Sequence, residues 1–169
     1  MGAVSEELTI PAAEMQRYIL KYLMYRFEFA VMEMSPFYIP LRFDVIGINR
    51  TKRIVRIFEV KSSKRDFASD KKWHKYLPYC THFCFAAPKG VISLDEIPSD
   101  IGLVEFSRTK NGILYHEYKR GCKNRGSIAD EQYLQLIEAA LMRMYEVKRE
   151  NNALRQELRI LKGEECRQG

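Results

Sequence analysis

Apolar and polar residues follow each other along this chain with distinct periods, and the periods predict its elements. Pro11 opens AAEMQRYILKYLMYRFEF, in which Met15, Tyr18, Ile19, Tyr22, Leu23 and Phe27 recur at spacings of three and four. This is one core-facing stripe of a helix with proline in its first turn, where a missing N–H costs nothing. EFAVMEM (28–34) fits either a continuation of that helix or a strand, and SPFYIP interrupts it with two prolines. From 41, LRFDVIGI reads as a strand, NRTK as a short turn and RIVRIFEVK as a second strand rich in β-branched residues. SSKRDFASDKKWHKYL carries capping residues Ser62, Ser63 and Asp66, then a polar helix that turns Phe67, Trp73 and Leu77 inward. THFCFAA (81–87) is almost continuously apolar, as expected of a strand buried on both faces, and Pro88 and Gly90 end it. IGLVEFS and GILYHEY are two further strands, joined by RTKNG, whose Asn111-Gly112 pair suits a tight turn. KRGCKNRG is a basic loop. From Ser127 to about Leu161 there is neither glycine nor proline, which predicts one long helix.

The order is helix, strands, helix, strand, hairpin, long helix. It describes a mixed α/β domain over residues 11–125 and a C-terminal helix over 127–162, a division that suits 169 residues. Met144, Val147, Asn151, Leu154, Leu158 and Leu161 make a short heptad with one polar a position, a device that fixes register in two-stranded coiled coils. Leu134, Ile137, Leu141 and Met144 follow a frame that shifts at Met144. The first frame is expected to pack on the domain and the second on a partner, giving a homodimer through this helix. No apolar run approaches the ~18 residues of a membrane span. MGAVSEELTI lacks the features of a secretory signal, and Glu6 spoils a myristoylation match. Cys80, Cys84, Cys122 and Cys166 follow no disulfide-scaffold spacing. The expectation is a soluble, cytoplasmic protein.

A net charge of +6 becomes informative when divided along the chain. Residues 42–75 hold +7 and 108–125 hold +5, while the remaining segments are each slightly negative. Localised basic excess is the footprint of a polyanion partner, although an unevenly charged solvated surface gives the same composition. Lys64, Arg65 and Lys72 in the first segment, and Lys119, Arg120, Lys123 and Arg125 in the second, are candidates for gripping DNA phosphates without reading sequence.

The residues that carry chemistry lie between 42 and 61. Asp44 sits in one predicted strand, and Glu59-Val60-Lys61 closes the next. Side chains alternate across a strand, so Glu59 and Lys61 share a face, and a hairpin brings Asp44 to the same place. Two carboxylates with water suit Mg²⁺, with Mn²⁺ as a substitute, and the Val60 carbonyl between them is a further candidate ligand. Lys61 is placed to orient a water or to neutralise charge on a phosphate. On spacing alone the pattern is weak, because charged residues are common at strand ends.

The surrounding stretches RFDVIGI, RIVRIFEVKSSKRDFASDKKWHKYLPYCTHFCFAAP and DEIPSDIGLVEFS resemble the MmcB-like DNA-repair proteins of the PD-(D/E)XK nuclease superfamily. The resemblance covers about residues 12–118 and is most specific in EVKSSKRDFASDKKWHKY. It implies a restriction-endonuclease-like fold with an αβββαβ core and mixed sheet. It also implies Asp44 and Glu59 as metal ligands and Lys61 as the catalytic lysine. Resolvase-like members add a glutamate from the first helix, for which Glu14 is the choice and Glu28 and Glu33 the competitors. The proline-aspartate pair of the superfamily is Phe43-Asp44 here. Ser62, Ser63, Asp66, Asp70, Lys72, Trp73 and Tyr76 match the family pattern further on.

Other candidates are weaker. Trp73 can stack on an unpaired base or anchor the core, and the core reading is preferred. Cys80, His82 and Cys84 are too close together to wrap one tetrahedral zinc, and His74 and His116 join no local signature. The functional expectation is therefore a Mg²⁺-dependent DNA endonuclease acting in DNA repair. The alternative is a catalytically inactive nucleic-acid-binding scaffold of the same fold that recruits a repair complex through its helical tail.

Overall fold

The structure, a computed structural model, describes residues 10–165, with side chains described up to Arg159. One six-stranded mixed sheet runs in the sequential order β1 (Phe29–Met34), β2 (Phe43–Asn49), β3 (Ile54–Val60), β4 (His82–Pro88), β5 (Gly102–Arg108), β6 (Leu114–Arg120). The first three strands form an antiparallel meander, β3, β4 and β5 are parallel, and β6 returns antiparallel to β5. Helix α1 (Ala12–Met24) lies on one face of the sheet. Helix α3 (Asp130–Glu165) lies along β1 on the other face.

The two faces follow from the period of the strands. Phe58, Val60, Cys84, Ala86, Val104 and Phe106 point to α1, where Met15, Ile19 and Leu23 meet them. The alternate residues Ile57, Phe83, Phe85, Ala87 and Leu103 point to the other layer, with Tyr76, Leu136 and Ala140. β4 is thus buried on both sides, which is why THFCFAA does not alternate.

One element that the sequence leaves open is settled, and two differ from the sequence expectation. EFAVMEM is the edge strand β1, because α1 stops at Met24 and the Glu28 carboxylate then accepts N–H bonds from Arg50 (2.9 Å) and Thr51 (3.5 Å) in the β2–β3 turn. The polar helix after β3 is two pieces, α2 (Lys64–Ser69) and a 3₁₀ segment (Trp73–Tyr79). Asp70 separates them: its carboxylate accepts from the N–H groups of Lys72 (2.7 Å) and Trp73 (3.1 Å), an Asx-type cap that starts a new turn. On α3 the residues that pack on the domain are Tyr133, Leu136 and Ala140, with Ile137 partly covered, while Leu134 and Leu141 face outward. The small Ala140 and the Arg143 guanidinium, which donates to the Met32 carbonyl, set that face one residue away from the heptad frame.

Met144, Val147, Leu154 and Leu158 are exposed beyond the domain. The Leu161 side chain, Cys166 and the first nine residues, including Gly2 and Glu6, lie outside the described residues. Among the described residues, no helix is long and apolar enough to cross a membrane.

The tightest packing at a glycine falls at Gly102, where a Cβ would come within 2.8 Å of both the Cys122 main-chain nitrogen and the Cys84 sulfur. Gly102→Ala should destabilise the domain by roughly 1–3 kcal/mol in urea unfolding, because the Cys122 main chain after β6 must move to admit the methyl.

Candidate functional site

The register of β2 and β3 pairs Val45 with Phe58, which sets Asp44 opposite Glu59 where the two strands begin and end. The Asp44 carboxylate accepts the Val60 N–H at 2.8 Å, in the place where a strand carbonyl would otherwise sit. One residue later the chain is still fixed to the sheet, since the Lys61 N–H donates to Ala86 (2.9 Å). Lys61 is 5% exposed, and its ammonium is held between Glu59 at 2.9 Å and Asp70 at 2.6 Å. The break before the 3₁₀ segment is what delivers Asp70 to Lys61.

Around this centre the loops are capped. The Asp66 N–H donates to Ser63 Oγ (3.1 Å), and Asp66 in turn accepts the Ser62 N–H (3.0 Å), which starts α2. Tyr76 donates its hydroxyl to the Arg42 carbonyl (3.2 Å) and Trp73 packs on Phe83 and Phe85. Trp73 is therefore a core anchor, half-buried over the site's floor.

A fourth acid comes from β1. Glu33 has a left-handed backbone (φ +56°) near the end of β1, whose register with β2 runs unbroken from Phe29–Ile48 to Met34–Phe43 and sets Glu33 opposite Asp44. Such a conformation is costly for a residue with a Cβ, and it turns Glu33 toward Asp44. Its carboxylate accepts from the buried Gln16 amide (2.9 Å) and pairs with Arg42 (3.1 Å).

Acidic charge exceeds basic charge in this buried place, and the titration behaviour follows. Burial raises the Glu59 carboxyl to about 7, reinforced by the neighbouring Asp44 charge and opposed by Lys61. Burial also raises Asp44, against the Val60 N–H and Lys61, and the Glu33 charge adds to the rise. Desolvation pulls the Lys61 ammonium down, but the hydrogen bond it donates to Asp70 and the charge of Glu59 outweigh it and leave it above the ordinary lysine range. Asp70 moves below the ordinary carboxylate range, because the bonds from Lys61 and the Lys72 N–H exceed its burial cost. Glu59 Oε2 is buried and has no hydrogen-bond partner. An unpartnered carboxylate oxygen beside a second raised carboxylate is a donor set suited to a hard divalent cation.

The structure thus brings together Asp44, Glu59, the Val60 main chain and Lys61. It does not bring Glu14 to them: Glu14 pairs with Arg108 at the end of β5. Glu28 caps the turn at the opposite end of β2. The glutamate that faces Asp44 is Glu33, from the strand and not from the helix. Two residues of the cluster were not legible as such. Asp70 reads as one face of a continuous helix until the break is known, and Gln16 is a lone polar residue beside the apolar stripe, without a motif.

The seven basic candidates separate by their partners. Arg120 donates to the carbonyls of Ile97, Pro98 and Ile101, so it fastens a loop and is not free to grip phosphate. Lys64 pairs with Glu96, Arg125 with Asp100, and Lys119 with Glu105 and Glu117. Among the described residues Arg65, Lys72 and Lys123 are exposed and make no ion pair. Cys80 and Cys84 are buried thiols, and no group of three or more His, Cys, Asp or Glu side chains suited to a metal occurs among the described residues.

A mixed sheet between helices, with buried carboxylates and a lysine gathered at one end of the meander, defines an α/β domain with a charged site at its sheet edge. A family profile described as DNA repair protein MmcB-like matches residues 4–125, and the chain belongs to that family. Among solved structures it is similar to the SPO1766 protein of unknown function from Silicibacter pomeroyi, with 25% identity and a TM-score of 0.66 over 86% of this chain and 92% of that one. No curated protein matches.

The buried Glu59 carboxyl predicts an inverted pH dependence. Glu59 binds its proton more tightly folded (about 7) than unfolded (4.5), so the unfolded chain releases it first as pH rises. Stability should fall as pH rises from 4.5 to about 7, by on the order of 3 kcal/mol at most. Glu59→Gln should remove most of that slope in urea unfolding followed at several pH values. An unchanged slope would place Glu59 in a solvated, ordinary environment.

Proposed function

We propose that this protein is a metal-dependent DNA endonuclease of the PD-(D/E)XK superfamily that hydrolyses phosphodiesters in DNA repair. The observation that supports it most is the opposed pair Asp44 and Glu59, both raised by burial, with one Glu59 oxygen unpartnered beside a buried lysine. The family relationship adds DNA repair as the setting. The element order α1-β1-β2-β3-α2-β4 agrees with the αβββαβ core of that superfamily.

Asp44 and Glu59 are the residues that would hold Mg²⁺ or Mn²⁺, with the Val60 main chain between them. When bound, such an ion polarises the phosphodiester and lowers the pKa of its water. Lys61 stays charged through the neutral range and donates either to the attacking water or to phosphate oxygens on which charge develops. Asp70 keeps that ammonium in place, and the sheet beneath excludes solvent. Arg65, Lys72 and Lys123 supply positive charge for phosphates outside the cleavage point.

A second reading is a non-catalytic DNA-binding scaffold of the same fold. One observation favours it: Lys61 is already engaged by two carboxylates. Cleavage of labelled duplex, single-stranded, flapped and four-way DNAs with Mg²⁺ or Mn²⁺ separates the two. The nuclease cuts at least one substrate and Glu59→Gln lowers the rate by at least about 100-fold. Salt-sensitive binding with no cutting on any of them supports the scaffold.

The outward stripe of α3 is proposed as a dimer contact. Leu134, Leu141, Met144, Val147, Leu154 and Leu158 are all exposed and recur at near-heptad spacing around Asn151. Sedimentation equilibrium should give a dimer for the full chain and a monomer after removal of residues 144–169. A full-length monomer would rule this contact out.

A further inference from the structure

Between β1 and β2 the chain forms a turn whose hydrophobic residues are divided in an unusual way. Met34, Pro36 and Ile39 are buried beneath it, and the Ile39 N–H donates to the Pro36 carbonyl at 3.2 Å. Phe37 and Tyr38 occupy the two corner positions and are 93% and 72% exposed. Their rings touch at 5.0 Å between centroids with an 84° interplanar angle, so they leave free faces around a corner instead of closing on each other. Two large aromatic side chains held in water on a turn that is anchored from below contribute nothing to the core. They are preorganised for a flat partner.

The position of the turn identifies the partner. It is rooted at both ends beside Asp44: Glu33 precedes it, Arg42 follows it, and the two pair across its base at 3.1 Å. Arg42 lies four positions after Tyr38, a reach of no more than about 14 Å. That is only a few nucleotide steps along a strand. Phe37 and Tyr38 also line a groove of about 470 Å³ against α3, together with Glu33, Glu138, Glu146 and Arg143. The excess of carboxylates disfavours phosphate inside that groove, so a nucleotide strand would meet the ring surfaces that face open solvent.

The geometry points to Phe37 and Tyr38 as a stacking platform for an unpaired nucleobase of DNA, set within a few nucleotides of the Asp44–Glu59 centre. This inference rests on the nuclease reading for its second half and specifies the substrate class of that site. A base in an intact duplex already has both faces covered, so it has no face to offer. A gapped, flapped, mismatched or single-stranded site does. Base–aromatic stacking tolerates any sequence, which suits a protein with no readable specificity element.

The test is fluorescence anisotropy with Ca²⁺ in place of Mg²⁺, on a duplex, the same duplex with a short gap, and the single strand. The proteins are wild type, Phe37→Ala/Tyr38→Ala and Phe37→Trp, each checked for an unchanged melting temperature. Wild type and Phe37→Trp should bind the gapped and single-stranded DNAs at least about 10-fold more tightly than the duplex. The double alanine variant should lose that preference and keep its duplex affinity within about twofold. The inference is overturned if wild type shows no preference, if the variant keeps it, or if the variant weakens every DNA equally, as a lost protein-docking surface or a lost general contact would. A Mg²⁺ cleavage assay run in parallel separates the two readings. A preference that the variant loses, without any cutting, sustains the platform and sinks the nuclease. Cutting with a preference that the variant retains does the reverse.

Discussion

The interaction on which the rest depends is the burial of Lys61 between Glu59 and Asp70. An ammonium with 5% exposure is tolerable only if its hydrogen bonds are met, and both partners come from elements arranged for that purpose. Glu59 arrives because side chains alternate along β3. Asp70 arrives because it ends α2 and caps the 3₁₀ segment, so the apparent defect in that helix is the means of pairing the lysine. Removing either acid would leave a poorly compensated charge against the aromatic floor of Trp73, Phe83 and Phe85.

The lysine does not balance the site. Asp44, Glu59, Asp70 and Glu33 face Lys61 and Arg42, and burial, reinforced by the excess of acid, raises Asp44 and Glu59. Structures hold such an imbalance at some cost in stability, and positions of this kind are where function is concentrated. Glu33 shows the same economy in its backbone. A left-handed residue with a side chain, inside a strand pair, persists because the Gln16 amide and Arg42 hold its carboxylate. The turn that carries Phe37 and Tyr38 follows a few residues later, so strain, charge and exposed aromatic surface occur within one short stretch.

Much of this was legible in sequence. The stripe of α1, the β2–β3 hairpin, the doubly buried β4 and the glycine-free α3 follow from period and composition, and the alternation rule places Glu59 with Lys61. What escaped depends on contacts between distant segments. Whether 28–34 is helix or strand is decided by pairing with β2, not by its own residues. Spacing from the first helix points to Glu14, whereas the acid that meets Asp44 stands opposite it in the β1–β2 pairing, with a left-handed backbone that no propensity encodes. Arg120 reads as a surface cation until three carbonyls of the preceding loop are found around it. The face of α3 that packs lies one residue away from the leucine frame, because leucine spacing alone does not reveal which side meets β1.

Anomalous scattering from crystals soaked in Mn²⁺ would address the Asp44–Glu59 centre directly. A single peak within coordination distance of both carboxylates, absent in Glu59→Gln crystals, is the expected result. A wild-type map without that peak, in which Glu59 stays paired to Lys61 at millimolar Mn²⁺, would contradict a metal-dependent site and leave the cluster a structural ion network.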